Sequence, residues 1–217
     1  MKKMNRRQFL ILSGGSLGGM IALCGGGAAL SVWSPPADMA QSSCGKEENV
    51  TKKVLVAYAS KCGSTGEIAQ AVGDVLCESG AEVDVKPVKA VTSLSGYDAV
   101  IVGTAIRMGQ CLPEAKRFVE KHKEDLSKVP LAYFAACLAP TATDEAERKQ
   151  AETYLDALKA IVKPAAEGVF AGKMDSKKLS LLFRLMMNMA KMEEGDFRDW
   201  AAIKAWAQEI QPVLLKA

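Results

Sequence analysis

VLVAYASKCGSTGEIAQAV, Val54 to Val72, is an apolar run that stops at a loop of hydroxyls and glycine and resumes at helical spacing. Val54 to Ala59 is short and almost wholly apolar, the composition of a strand buried on both faces. From Thr65 to Ser79, Ile68, Ala69, Val72, Val75 and Leu76 recur with the helical period until Gly80 stops them. A strand that turns through Ser60, Lys61, Cys62, Gly63, Ser64 and Thr65 directly into a helix offers hydroxyls and unpaired backbone N–H groups at a helix amino end. That is an anion cradle, and its few charges suit a phosphomonoester. The loop has neither the GxxxxGK(S/T) pattern of nucleoside triphosphate sites nor the GxGxxG of dinucleotide folds.

The alternation continues outward. Glu82 to Val88 reads as a more exposed strand, Ala99 to Thr104 as a second fully apolar one, and Pro113 to Leu126 as a helix with proline in its first turn. Leu131 to Cys137 is a third buried strand, Asp144 to Val162 a long helix capped by Asp144, Glu167 to Ala171 a last strand, and Asp199 to Leu215 a closing helix. Five strands separated by helices and joined by right-handed crossovers predict an α/β fold, a parallel sheet covered on both faces.

Composition narrows the function. The 217 residues suffice for one domain plus an appendage, with 49% hydrophobic residues to build its core. Residues 1–44 hold four of the 28 basic groups (Lys2, Lys3, Arg6, Arg7) and one of the 25 acidic ones (Asp38), leaving 24 against 24 from residue 45 onward. A neutral body without a basic cluster argues against nucleic acid as a partner. With one histidine, His122, and no CxxC pair, a zinc site is not expected. Cys62, Cys77, Cys111 and Cys137 fall one per element and are expected to be unpaired thiols.

Tyr58, Ser60, Gly63 and Thr65, opening the first helix of this pattern, resemble the flavin mononucleotide (FMN) phosphate loop of the flavodoxin superfamily. "YDAVIVGTAIRMGQCLPEAKRFVEKHKEDL", Tyr97 to Leu126, with "GVFAGKM", Gly168 to Met174, and a basic, Met-rich insertion, resembles the flavodoxin-like protoporphyrinogen oxidases of bacteria. The resemblance covers about residues 53–212. It implies a three-layer flavodoxin-like fold over 53–217, with a five-stranded parallel sheet of order 2-1-3-4-5. It also implies FMN, its phosphate held by Ser60 to Thr65 and its ring flanked by Thr104, Ala105, Ile106, Arg107, Met108 and Gly109 and by Cys137, Leu138 and Ala139. Met108 stands where the family commonly offers an aromatic side chain to the ring.

Two segments lie outside that pattern. Residues 1–33 join a basic start to the uncharged stretch Phe9 to Val32, and Arg6 and Arg7 followed by Gln, Phe and Leu resemble a twin-arginine export signal. An ordinary amino-terminal anchor under the positive-inside rule is the alternative. Either places the body outside the cytoplasm or at its membrane, with 34–52 as a polar linker. The insertion at about 175–196 reads as an amphipathic helix, 176–192. Lys177, Ser180, Arg184, Asn188 and Lys191 form one stripe, with Leu179, Leu182, Phe183, Met186, Met189 and Ala190 opposite. It suits an anionic membrane surface, a porphyrin with its propionates, or a packing or dimer face.

Among single residues, Cys62 reads as a loop filler or a thiol activated by a helix amino end. His122 reads as a solvated surface residue. Arg107 reads as a guide for an anionic substrate, a stabiliser of reduced flavin, or half of a salt bridge. No side chain is singled out as catalytic. The expected function is an FMN-dependent oxidoreductase acting on a porphyrinogen-like substrate, with a quinone or a redox protein as partner. An extracytoplasmic electron-transfer protein and a non-catalytic flavin-binding module are the alternatives.

Overall fold

A computed structural model describes residues 39–45, 52–138, 145–151, 153–175 and 194–215. The chain divides into a unit of Asp38–Lys173 with Asp196–Ala217 and a second of Met1–Ala37 with Met174–Gly195. The architecture below is that of the first. The leader at 1–33 and the helix expected over 176–192 lie outside the described residues.

The elements of the first unit are β1 (Ser42–Cys44), β2 (Lys53–Ala59), α1 (Ser64–Glu78), β3 (Glu82–Pro87), β4 (Ala99–Arg107), β5 (Gln110–Cys111), α2 (Pro113–Lys121), α3 (Lys123–Leu126), β6 (Leu131–Cys137), α4 (Glu145–Ala151), α5 (Asp156–Lys159), β7 (Ala166–Ala171) and α6 (Trp200–Leu214). The sheet runs β1-β3-β2-β4-β6-β7, and β3, β2, β4, β6 and β7 are parallel, so the expected 2-1-3-4-5 core is present. Two additions extend it. β1 lies antiparallel on the β3 edge, and β5 folds back on the end of β4.

Strand alternation divides the core. Val54, Val56 and Tyr58 face a layer built by Ile68, Val72 and Leu76 of α1 and Ile203, Trp206 and Ile210 of α6. Leu55, Ala57 and Ala59 face Phe118 and Val119 of α2 with Leu155 and Leu158. All six β2 residues from Val54 to Ala59 are buried, as a strand sandwiched between helices requires. Each large aliphatic among them contributes roughly 1.5–3 kcal/mol of burial. Backbone contact is tightest at Gly103, where an added Cβ would lie 2.1 Å from the Phe134 ring.

Several sequence expectations need correction. Ser42–Cys44, inside the stretch read as linker, is a sheet strand, and Tyr58 donates its hydroxyl to the Ala40 carbonyl at 2.8 Å. Cys77 is not a free thiol. It forms a disulfide with Cys44 (Cα–Cα 6.2 Å), because β1 on the β3 edge brings Cys44 to the end of α1. The helix expected over 144–162 is two short helices, with Thr153 donating its hydroxyl back to the Gln150 carbonyl in the turn between them. Similarly, the helix expected over 113–126 breaks at His122. That break turns the imidazole inward, 6% exposed and with its centroid 4.8 Å from that of Phe118, so His122 is a buried residue. Burial, reinforced by the neighbouring Lys121 charge, lowers its pKa.

Candidate functional site

In this topology the chain leaves β2 for β3 on one side and returns past it to β4 on the other. The crevice between the carboxyl ends of β2 and β4 is therefore the switch point where ligands bind in open α/β sheets. The register aligns Ala59 with Thr104 and Thr104 with Ala135, so the loops after β2, β4 and β6 open from neighbouring strand ends.

The first loop is shaped by its own hydrogen bonds. Gly63 adopts φ 91°, a left-handed conformation suited to glycine, and its N–H donates to Ser60 Oγ at 3.0 Å. Ser60 thus keeps its O–H for another acceptor. The Gly63 carbonyl accepts from the N–H groups of Gly66 and Glu67, closing the first turn of α1. The N–H groups of Ser64 and Thr65 have no protein acceptor among the described residues. Thr65 is fully buried, yet its hydroxyl lacks any hydrogen-bond partner among the described residues. A buried orphan hydroxyl beside free N–H groups at a helix amino end fits the phosphate of FMN.

Lys61, exposed at the start of the loop, reaches across to Glu114 in the first turn of α2. Burial would raise the Glu114 pKa, but the Lys61 hydrogen bond and charge, with a backbone N–H, lower it instead. This pairing was not legible in the sequence, because the partners stand 53 residues apart. The only local sign was an acid in a helix first turn, where the dipole favours it.

The second loop is a hairpin. Thr104 Oγ1 donates to the Ala105 carbonyl and accepts from Leu112 N–H, tying the base of the loop to the strand end. Ile106 pairs with Cys111 and Arg107 with Gln110, leaving Met108 (φ 54°) and Gly109 (φ 76°) as the two turn residues, both left-handed. The side chain at the tip is a methionine, 48% exposed. Its polarisable thioether can cover a ring face where an aromatic residue does not. Burial raises the Cys111 thiol pKa, keeping it a thiol.

Of the residues named from sequence, Ser60 to Thr65 and Thr104 to Gly109 belong to these adjoining loops. Cys137, buried, ends β6 beside them, and Leu138 follows it half-buried. Ala139 lies outside the described residues. Cys62 is half-exposed and not disulfide-bonded. Among the described residues no cluster of ligating side chains is arranged to hold a metal ion.

A search of known proteins matches residues 55–200 to the flavodoxin domain. The protoporphyrinogen IX dehydrogenase (quinone) of Escherichia coli K12 is 27% identical over 173 residues, 73% of this chain and 94% of that protein. The Leishmania major protein of the same name is 26% identical, over 72% of this chain and 74% of its own. An NAD(P)H dehydrogenase (quinone) of Methylocella silvestris is 33% identical over 91 residues, 32% of this chain and 46% of that one. Among solved structures, a Fusobacterium nucleatum flavodoxin mutant bound to flavin mononucleotide is 15% identical over 60% of this chain and 74% of its own, with TM-score 0.43. The cradle at Ser60 to Thr65 and the domain match together identify FMN as the cofactor, and the chain belongs to the flavodoxin domain family.

Proposed function

We propose that this flavin oxidoreductase takes electrons from a porphyrinogen-like substrate and delivers them to a quinone. The observation that carries the reading is the alignment with the Escherichia coli protoporphyrinogen IX dehydrogenase (quinone), which spans 94% of that protein and includes both loops of the site. FMN supplies the redox chemistry when bound, and the chain's residues bind it, orient it and shape access to it. Ser60, Ser64 and Thr65 would hold the phosphate end, with Gly63 shaping the turn and Lys61 fixed against Glu114 to steady the loop. Thr104 anchors the hairpin whose tip residue, Met108, would flank the ring. No carboxylate or thiol is required as a nucleophile.

A second reading takes the electrons from a nicotinamide donor. It rests on the local similarity to NAD(P)H dehydrogenases (quinone), which spans under half of those proteins. A plain electron-transfer protein is the third. An anaerobic assay separates them. Protoporphyrinogen IX and a naphthoquinone are mixed with the FMN-loaded chain, and porphyrin fluorescence is followed against an NADPH-driven control. Fluorescence that rises only with enzyme and quinone together supports the first reading. Quinone reduction by NADPH alone replaces it with the second, and absence of both leaves a carrier.

We also propose an extracytoplasmic or membrane-tethered location, through the twin-arginine-like leader and the basic, Met-rich stretch at 176–192. The Cys44–Cys77 disulfide supports it, since such bonds persist in oxidising compartments. Thiol trapping in intact cells, with mass determination of the native amino terminus, tests it. A fully reduced pair in cells would contradict the location.

A further inference from the structure

Residues 39–45 reach the flavin cradle through the helix that carries it. Tyr58, fully buried, lies under the first turn of α1, where a Cβ added at Gly66, the neighbour of Thr65, would come within 2.8 Å of the Tyr58 ring. The Tyr58 hydroxyl is held in turn by the Ala40 carbonyl at 2.8 Å. One turn further along α1, Ser42 Oγ donates to Gln70 Oε1, and in the last turn Cys77 is bonded to Cys44. Ser43 meanwhile donates to Asp84 of β3. One short segment thus ties the sheet edge to α1 along its length and, through Tyr58, to the turn that forms the cradle.

Of these ties, the disulfide is the one that chemistry can make and unmake. β1 is only three residues long, too short to hold the edge by strand pairing alone, so the covalent bond decides how firmly the segment is seated. Cys44 and Cys77 are both half-exposed, within reach of a thiol reagent. We infer that residues 39–45 form a redox-sensitive strap on the FMN helix. With Cys44 and Cys77 bonded, the strap holds the first turn of α1 in the shape that receives the phosphate, and reduction of the bond loosens FMN. The reaction is exchange with a dithiol. The dithiol supplies two electrons and two protons, the Cys44–Cys77 bond breaks to two thiols, and the dithiol closes its own disulfide. The inference concerns FMN binding alone, whichever donor and acceptor the flavin serves. The coupling is reciprocal, because a bond that tightens FMN by some factor is itself favoured by FMN by the same factor.

The test compares the full chain oxidised with the full chain reduced by a dithiol that is then removed without air. Flavin fluorescence quenching gives the FMN affinity of each form, and far-ultraviolet circular dichroism reports the fold. The reduced form should keep its dichroism and bind FMN about five- to tenfold more weakly, the low end of coupling between linked sites. Cys44→Ser and Cys77→Ser should each bind like the reduced parent and ignore the dithiol, which separates this bond from the thiols of Cys62, Cys111 and Cys137. In buffers of graded dithiol and disulfide, alkylation and mass measurement of the parent should show FMN shifting the equilibrium toward the bond by the factor found in the affinities. Tyr58→Phe keeps the ring under Gly66 and removes the hydroxyl bond to Ala40, so its two forms should bind FMN within about twofold of each other. Equal FMN affinity in the two forms of the parent overturns the strap, as does a bond equilibrium that FMN leaves unmoved. Reduction that collapses the dichroism overturns it as well, since the bond would then staple the whole fold. An undiminished difference in Tyr58→Phe overturns the path from strap to cradle.

Discussion

Thr65→Val offers a test in which two measurements should move in opposite directions. The threonine is fully buried in the first turn of α1, and its hydroxyl has no partner among the described residues. Without flavin, that hydroxyl pays desolvation and regains nothing. Valine keeps the branched shape and removes the unsatisfied atom, so the flavin-free protein should be unchanged or more stable by up to about 1 kcal/mol. With flavin bound, the same hydroxyl would donate to a charged phosphate oxygen, an interaction of roughly 1.5–3 kcal/mol. Its loss should weaken FMN binding about 10- to 150-fold. Flavin fluorescence quenching on titration measures the affinity, and urea unfolding of the flavin-free protein measures the stability. The reasoning fails if Thr65→Val binds FMN as tightly as the parent. It fails equally if the flavin-free variant loses 1 kcal/mol or more, since that would reveal a protein partner for the hydroxyl.

Three further outcomes follow from the fold. Gly103→Ala should destabilise the protein by about 1–3 kcal/mol, because its methyl enters the Phe134 ring, and the urea midpoint should fall with an unchanged slope. Cys44→Ser should lower stability by about 2–4 kcal/mol and make the unfolding midpoint insensitive to dithiol reductant, whereas the parent should lose a similar amount on reduction. Burial would raise the Asp84 pKa, but hydrogen bonds from Ser43, Tyr97 and Lys86, with the Lys86 charge, lower it to about 2. A carboxyl lowered on folding stabilises above its unfolded pKa, so its contribution should be lost as pH falls from about 4 to about 2. Asp84→Asn should flatten that acid limb in a pH series of urea midpoints.

How much of this was legible in the sequence depended on how local the cause was. β2, β4 and β6 are apolar on both faces because helices cover both sides of the sheet, and a run such as Val54 to Ala59 shows that without a partner in view. The Ser60 to Thr65 cradle was legible for the same reason, since one loop and one helix start make it. What escaped notice was made by distant partners. Ser42–Cys44 is a strand only because the β3 edge is open to it, and its short polar sequence carries no strand signal of its own. The Cys44–Cys77 bond follows from that placement. His122 sits in a run of charged residues, yet a helix break turns it onto Phe118. The Lys61–Glu114 pair joins a loop and a helix start that only the sheet register brings together.

The central claim is that FMN held by this chain carries electrons to a quinone. The most direct measurement is the anaerobic visible spectrum of the FMN-loaded protein, first reduced with a stoichiometric chemical reductant and then mixed with a naphthoquinone. The account predicts that flavin absorbance bleaches while remaining protein-bound, then recovers on mixing faster than free FMN at the same concentration. Flavin that separates from the protein on gel filtration, or bound reduced flavin that the quinone reoxidises no faster than free flavin, would contradict it.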